Sequence, residues 1–151
     1  MYHYTECGLD SVFLVDGYRL ESDPRYGDIL TVENVLALHL EIGRYLVQRD
    51  RTLNGAEFRF LRSELDLSQR AMARVLGTNE QSIAKWEKER SKPVANKAAE
   101  RLLRLFFASR ASGGESRLAT LLGRMADLDN GHADAEFRLS RSGDGWLASA
   151  A

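Results

Sequence analysis

Between positions 33 and 49 apolar residues recur at steps of three and four: Val35, Leu38, Ile42, Tyr45 and Leu46. That period predicts a helix. Thr31 or Asn34 is suited to its start. The preceding pattern is different. "SVFLVDGYRL" reads as a strand, a tight turn at Asp16-Gly17 and a second strand, and "GDILTV" as a third short strand. "RTLNG" is a linker. Helical spacing then returns repeatedly. A helix over 55–65 has Phe58, Leu61 and Leu65 on one face, one over 69–76 has Met72, Val75 and Leu76, and one over 80–88 has Ile83 and Trp86. Pro93 is expected to start a later helix with Ala98, Leu102, Leu105 and Phe106 on its apolar face. "SRASGGES" at 109–116 is a candidate hinge. "SRLATLLGRMADL" resumes a helical pattern through Leu118, Leu121, Leu122 and Met125. "AEFRLSRSGDGWLAS" reads as a weak hairpin around Ser142–Gly145 or as a loose tail.

The two short helices at 69–76 and 80–88 carry the functional question. Ser68 is a good N-cap for the first, Asn79 for the second, and Gly77 stands where the chain must turn sharply. Ala71 and Ala73 are small enough to let another helix approach. With Ile83 and Trp86 turned inward, Glu80, Gln81, Ala84, Lys85 and Lys88 remain outside. Helix, short glycine-containing turn and helix make the helix-turn-helix arrangement. Glu80, Gln81, Ser82 and Lys85 are then the candidate base readers. Gln pairs bidentately with adenine, Lys donates to guanine, and Glu accepts from cytosine. Ser68, Gln69 and Asn79, near helix N-termini, are candidate phosphate contacts, with Lys88, Arg90 and Lys92 beside the second helix. The plain alternative is a solvated polar face such as any surface helix carries. Glu80 fits both readings, since it complements a helix N-terminus but repels phosphate.

"LRSELDLSQRAMARVLGTNEQSIAKWEKERSKP" closely resembles the Cro/CI-type (XRE) helix-turn-helix domain. The matching positions are Leu67-Ser68-Gln69, Ala73, Leu76-Gly77, Asn79, Ile83, Trp86-Glu87 and Pro93. Thr78 departs from a usually aliphatic position, and Arg90 stands where many members keep a glycine. The resemblance covers about 55–108. It implies a mainly α fold: a five-helix Cro/CI-type domain over 53–110, a small α+β segment for partner binding or dimerisation over 1–52, and a C-terminal helix with a hairpin or tail over 111–151. It implies a sequence-specific transcriptional regulator, a repressor above all, acting as a homodimer on double-stranded DNA. "YHYTECGLDSVFLVDGYR" with its following helix more loosely resembles the front of MqsA-type antitoxins. That resemblance implies a toxin partner and an autoregulated operon as the alternative. The zinc ligands of those antitoxins do not carry over, because Cys7 is alone.

Charge sharpens the picture slightly. The net charge is −1, but residues 55–110 hold twelve basic and seven acidic side chains, net +5, between flanks of −4 and −2. A basic middle suits a polyanion. The 151 residues, 44% hydrophobic and 28% charged, are ordinary globular material for one domain or two small ones. One cysteine permits no intrachain disulfide. No apolar run approaches a membrane span, and "MYHYTECGLD" is unlike a signal peptide, so a cytoplasmic, nucleoid-associated protein is expected. His3, Cys7 and His39 lack metal-ligand spacing, so no metal or cofactor is expected. Cys7 is expected to be a buried or half-buried small residue. His39 is expected to make one hydrogen bond at a core edge. Nothing matches a phosphate loop, HExxH or G-x-S-x-G, so an enzyme is not expected.

Overall fold

The computed structural model describes residues 1–112 and 137–150, together with Thr120 and Arg124. In chain order the elements are β1 (Tyr2–His3), β2 (Phe13–Leu14), β3 (Tyr18–Asp23), β4 (Gly27–Val32), α1 (Val35–Gln48), α2 (Gly55–Glu64), α3 (Gln69–Leu76), α4 (Glu80–Lys88), α5 (Lys97–Ala111), β5 (Phe137–Ser142) and β6 (Gly145–Ala150). The fold is mixed α+β, not mainly α: three two-stranded antiparallel sheets accompany the five helices among the described residues. The helix expected around 117–128 lies outside them, apart from helical Thr120 and Arg124.

Helices α1 to α5 share one hydrophobic core. Phe58, Leu61, Met72, Ile83, Leu103 and Phe106 are almost fully buried in it. The core also takes in Leu9 and Leu46, so the N-terminal segment and α1 pack onto the later helices. Gly43 of α1 makes room for the Phe107 ring of α5. A Cβ there would lie 2.2 Å from the Phe107 ring, so α1 needs glycine at this turn.

The start of α2 meets the end of α4. A Cβ on Gly55 would lie 1.9 Å from the Trp86 carbonyl oxygen. The free N–H groups of this first turn all find acceptors. Gly55 donates to Lys92 O and Ala56 to Arg90 O. Asn54 and Glu57 exchange side chain-to-backbone bonds as a capping box, at 2.9 and 2.8 Å. Glu57 is buried and also meets Arg49 and Arg51 at 2.7 and 2.9 Å. At the end of α1, Arg104 donates to the carbonyls of Val47 and Arg49, at 3.3 and 2.6 Å, and to that of Arg51. Its Nε also meets Glu100 Oε1 at 2.6 Å. Arg104 thereby satisfies carbonyls that a helix end leaves free.

Three local expectations are corrected. Asp16-Gly17 turns the chain, but the strands on either side are not partners. β2 pairs with β1 (Tyr2 opposite Leu14), and β3 pairs with β4 (Tyr18 opposite Val32). The hairpin turn is at Pro24–Tyr26, where the Asp23 carboxylate accepts from the N–H groups of Arg25 and Tyr26. Pro93 does not start a helix. It bridges to Asn54, and α5 begins later, with Asn96 accepting from Ala99 N. The buried face of α5 also lies one residue further along than expected. Ala99, Leu103, Phe106 and Phe107 are buried, whereas Ala98 is exposed and Leu105 is 53% exposed. The boundaries of α1 to α4 fall within two residues of those read from periodicity. Asn34, at φ 44°, caps α1, and β5 and β6 form the hairpin expected around Ser142–Gly145.

Candidate nucleic-acid interface

The short α4 is built to be held from one side. Asn79 Oδ1 accepts from Ser82 N at 2.8 Å and fixes the first turn. Ile83 is fully buried, and Trp86 is buried with its ring edge-on to Phe58 at 5.6 Å. Glu87, beside Trp86, is also buried, and Arg62 of α2 answers it with a two-pronged pair. Nε meets Oε2 at 2.9 Å and Nη2 meets Oε1 at 2.7 Å. The third arm of the same guanidinium donates to Leu67 O at 2.9 Å. One side chain therefore ties α2, α4 and the entry to α3 together. Paired planar groups resist rotation as well as separation. The orientation of α4 is thus set by packing and by directional bonds.

The turn between α3 and α4 depends on Gly77, at φ 69°, a conformation that strains residues with a side chain. Gly77 N and Thr78 N both donate to Ala73 O. Thr78 is half-buried there.

On the outer face of α4, Glu80, Gln81, Lys85 and Lys88 are exposed and Ser82 is half-buried. The side chains of Gln81 and Lys85 have no hydrogen-bond or ion-pair partner among the described residues. They stand four residues apart, so they project from one face. Lys85 and Lys88 occupy the last turn, where cations also complement the helix dipole.

The candidate phosphate contacts divide. Ser68 accepts from Ala71 N at 3.0 Å as the cap of α3. Capping uses oxygen lone pairs at Ser68 and Asn79, which leaves a hydroxyl proton and an amide NH2 free to donate. Gln69 is half-buried in the first turn of α3. Lys92 is exposed, 3.8 Å from Glu89. Arg90 is already engaged: it donates to Gly8 O at 2.9 Å and stands 3.7 Å from Asp10 Oδ1. The structure therefore gathers the α4 residues on one face and ties Arg90 to the N-terminal segment.

No protein-family model, curated protein or solved structure matches this chain. Any function therefore rests on the residues and their geometry.

Sequence reasoning missed Arg62, although a signal for it exists. Ile83, Trp86 and Glu87 lie at helical spacing on the inward face, and a carboxylate there requires a buried cation. It also credited His39 with one bond, where there are two. Nδ1 meets Glu64 Oε1 at 2.8 Å and Nε2 meets the Tyr4 hydroxyl at 2.9 Å. A carboxylate only accepts, so in the neutral ring Nδ1 carries the proton and Tyr4 donates to Nε2. Cys7 is half-buried, as expected, and burial pushes its thiol above the ordinary range. No three His, Cys, Asp or Glu side chains converge as a metal site among the described residues, and no described helix is long and apolar enough to cross a membrane.

Proposed function

We propose that this chain is a sequence-specific DNA-binding protein of the helix-turn-helix type, a transcriptional repressor that acts as a homodimer with α4 in the major groove. The observation that carries this reading is the outer face of α4. Uncommitted Gln81 and Lys85 side chains project together from a helix whose inner face is held by Ile83, Trp86 and the Arg62–Glu87 pair. Base readout needs hydrogen-bonding side chains on a helix that does not yield when it meets the groove. In this reading Gln81 and Lys85 contact base edges, with Glu80 and Ser82 beside them. Ser68, Gln69, Asn79, Lys88, Arg90 and Lys92 meet phosphates. Arg90 must exchange Gly8 O for a phosphate to do so. The protein then works in the cytoplasm, at the nucleoid, and needs neither metal nor cofactor nor a catalytic group. The test is selection of binding sites from random duplex DNA, followed by titration of the enriched duplex and of random duplex. Enrichment of a two-fold symmetric sequence supports the reading. Equal affinity for all duplexes, or no binding at low salt, ends it.

A second reading, an antitoxin that also binds a toxin protein, is favoured by exposed apolar side chains at the N-terminal end. Phe13, Val15, Leu36 and Tyr45 are each more than half exposed. Recovery of the tagged protein from its native host, with identification of what co-purifies in stoichiometric amount, separates a toxin partner from a second copy.

A further inference from the structure

A cavity of about 380 Å³ lies where the N-terminal turn, α1 and α2 meet Arg90. Cys7, His39, Arg59, Ser63, Glu64 and Arg90 are among its lining groups. What these groups already bond to decides what they still lack. Glu64 accepts from His39 Nδ1 at 2.8 Å. Glu6, also on the wall, accepts from the Tyr2 hydroxyl. Arg90 is held by Gly8 O. Arg59 is different: its guanidinium has no hydrogen bond or ion pair among the described residues. The Ser63 hydroxyl donates to no described acceptor. Arg59 and Ser63 lie four residues apart on α2, so they share a face. Glu6 and Glu64 each have one oxygen engaged and keep acceptor capacity on the other, whereas the side chains of Arg59 and Ser63 have no partner at all among the described residues, so the wholly uncommitted side chains are donors. Beside these donors, Ala56, Phe60 and Cys7 supply an apolar wall.

We propose that this cavity is a binding site for a small organic oxyanion, with its carboxylate or phosphate on Arg59 and Ser63 and its apolar body against Ala56, Phe60 and Cys7. A guanidinium presents parallel N–H donors whose spacing matches two oxygens of a carboxylate or phosphate. A concave site with a few convergent donors and an apolar side is the usual form of a small-molecule pocket. The apolar side of the cavity gives an organic body a surface to pack against, which a bare inorganic anion would not use. The anion contacts proposed here, Arg59 and Ser63, are not among the proposed DNA contacts, and Arg90, which borders the cavity, is the one residue shared with that reading.

Cys7, the sole cysteine, lines the cavity and reports its occupancy. The rate of Cys7 alkylation by iodoacetamide is followed by mass spectrometry at mildly alkaline pH, because burial raises the thiol. Benzoate, phenyl phosphate and inorganic phosphate are compared with sodium chloride at matched ionic strength. The expected result is a several-fold slowing by benzoate or phenyl phosphate, whichever headgroup the site prefers, and a weaker effect of inorganic phosphate. Arg59→Gln, at an exposed position and checked for an unchanged melting temperature, loses the protection, and Arg59→Lys keeps part of it. Alkylation at the chloride rate with all three probes overturns the proposal. Equal protection of wild type and Arg59→Gln overturns it as well.

Discussion

Gln81 and Arg90 are both candidate DNA contacts, but only Arg90 is already engaged within the protein, and their substitutions should part accordingly. Gln81 is exposed and uncommitted, so Gln81→Ala is expected to leave stability unchanged and to weaken cognate DNA by about 1–3 kcal/mol. Random DNA should be little affected. Arg90 spans the loop after α4 and the N-terminal turn through Gly8 O. Arg90→Ala should weaken cognate and random DNA alike and lower the salt slope by about one unit. It should also loosen residues 8–10, read as faster amide exchange there. Equal loss on both DNAs for Gln81→Ala would remove α4 as the reader. The α4 face was legible in the sequence because caps, a turn glycine and two anchors fix which side of a short helix is outside. The engagement of Arg90 was not. Its partner lies 82 residues away on a backbone carbonyl, and no local pattern encodes a bond to a distant peptide group.

At the scale of elements, α2 and α4 are joined in two places with different physics. Glu87→Ala leaves the partly buried Arg62 guanidinium without its carboxylate and with only Leu67 O as acceptor, which is expected to cost about 3 kcal/mol of folding stability. The joint replacement Arg62→Met with Glu87→Leu should recover most of that loss, because two apolar groups remove the uncompensated charge. Urea unfolding of the single and double variants measures both, and a double variant as unstable as Glu87→Ala refutes the pairing argument. At the other junction, Gly55→Ala ought to gain up to about 1 kcal/mol from helix propensity alone. The added methyl would instead meet the Trp86 carbonyl, so the variant should melt below wild type. Trp86→Ala, which opens a hole against Phe58, should cost roughly 3–5 kcal/mol. Helix positions were readable from period and caps. Two misreadings share a cause. Asp16-Gly17 and Pro93 are strong turn and helix-start signals, but the partner strand and the delayed cap at Asn96 were decided by tertiary pairing. Local chemistry says that the chain turns, not what it turns toward.

For the whole molecule, the proposed function raises the question of how one nine-residue helix would acquire enough contact with DNA. A reading helix of this length covers few base pairs, and joining two copies about a two-fold axis doubles the contact and matches a symmetric site. The surface best suited to join them is at the N-terminal end. Phe13 and Tyr45, 53% and 65% exposed, line a groove of about 290 Å³ whose walls include Leu9, Leu38 and Ile42. A face of this kind loses apolar exposure when a second copy covers it, and the interface core of such pairs is enriched in aromatic side chains. None of the residues that line the groove belongs to α4, so pairing through it uses no side chain of the proposed reading helix. Sedimentation at micromolar concentration is expected to give a species of twice the 17.0 kDa chain mass. Tyr45→Glu, which puts an unpaired carboxylate in the groove, should give the single-chain mass with an unchanged melting curve. Because Tyr45 touches no DNA in this arrangement, the variant should bind an isolated half-site like wild type while losing the advantage of the full symmetric site. A wild type that sediments only as one chain, with and without DNA, rules out the dimer. A Tyr45→Glu protein that remains dimeric moves the interface elsewhere on the molecule.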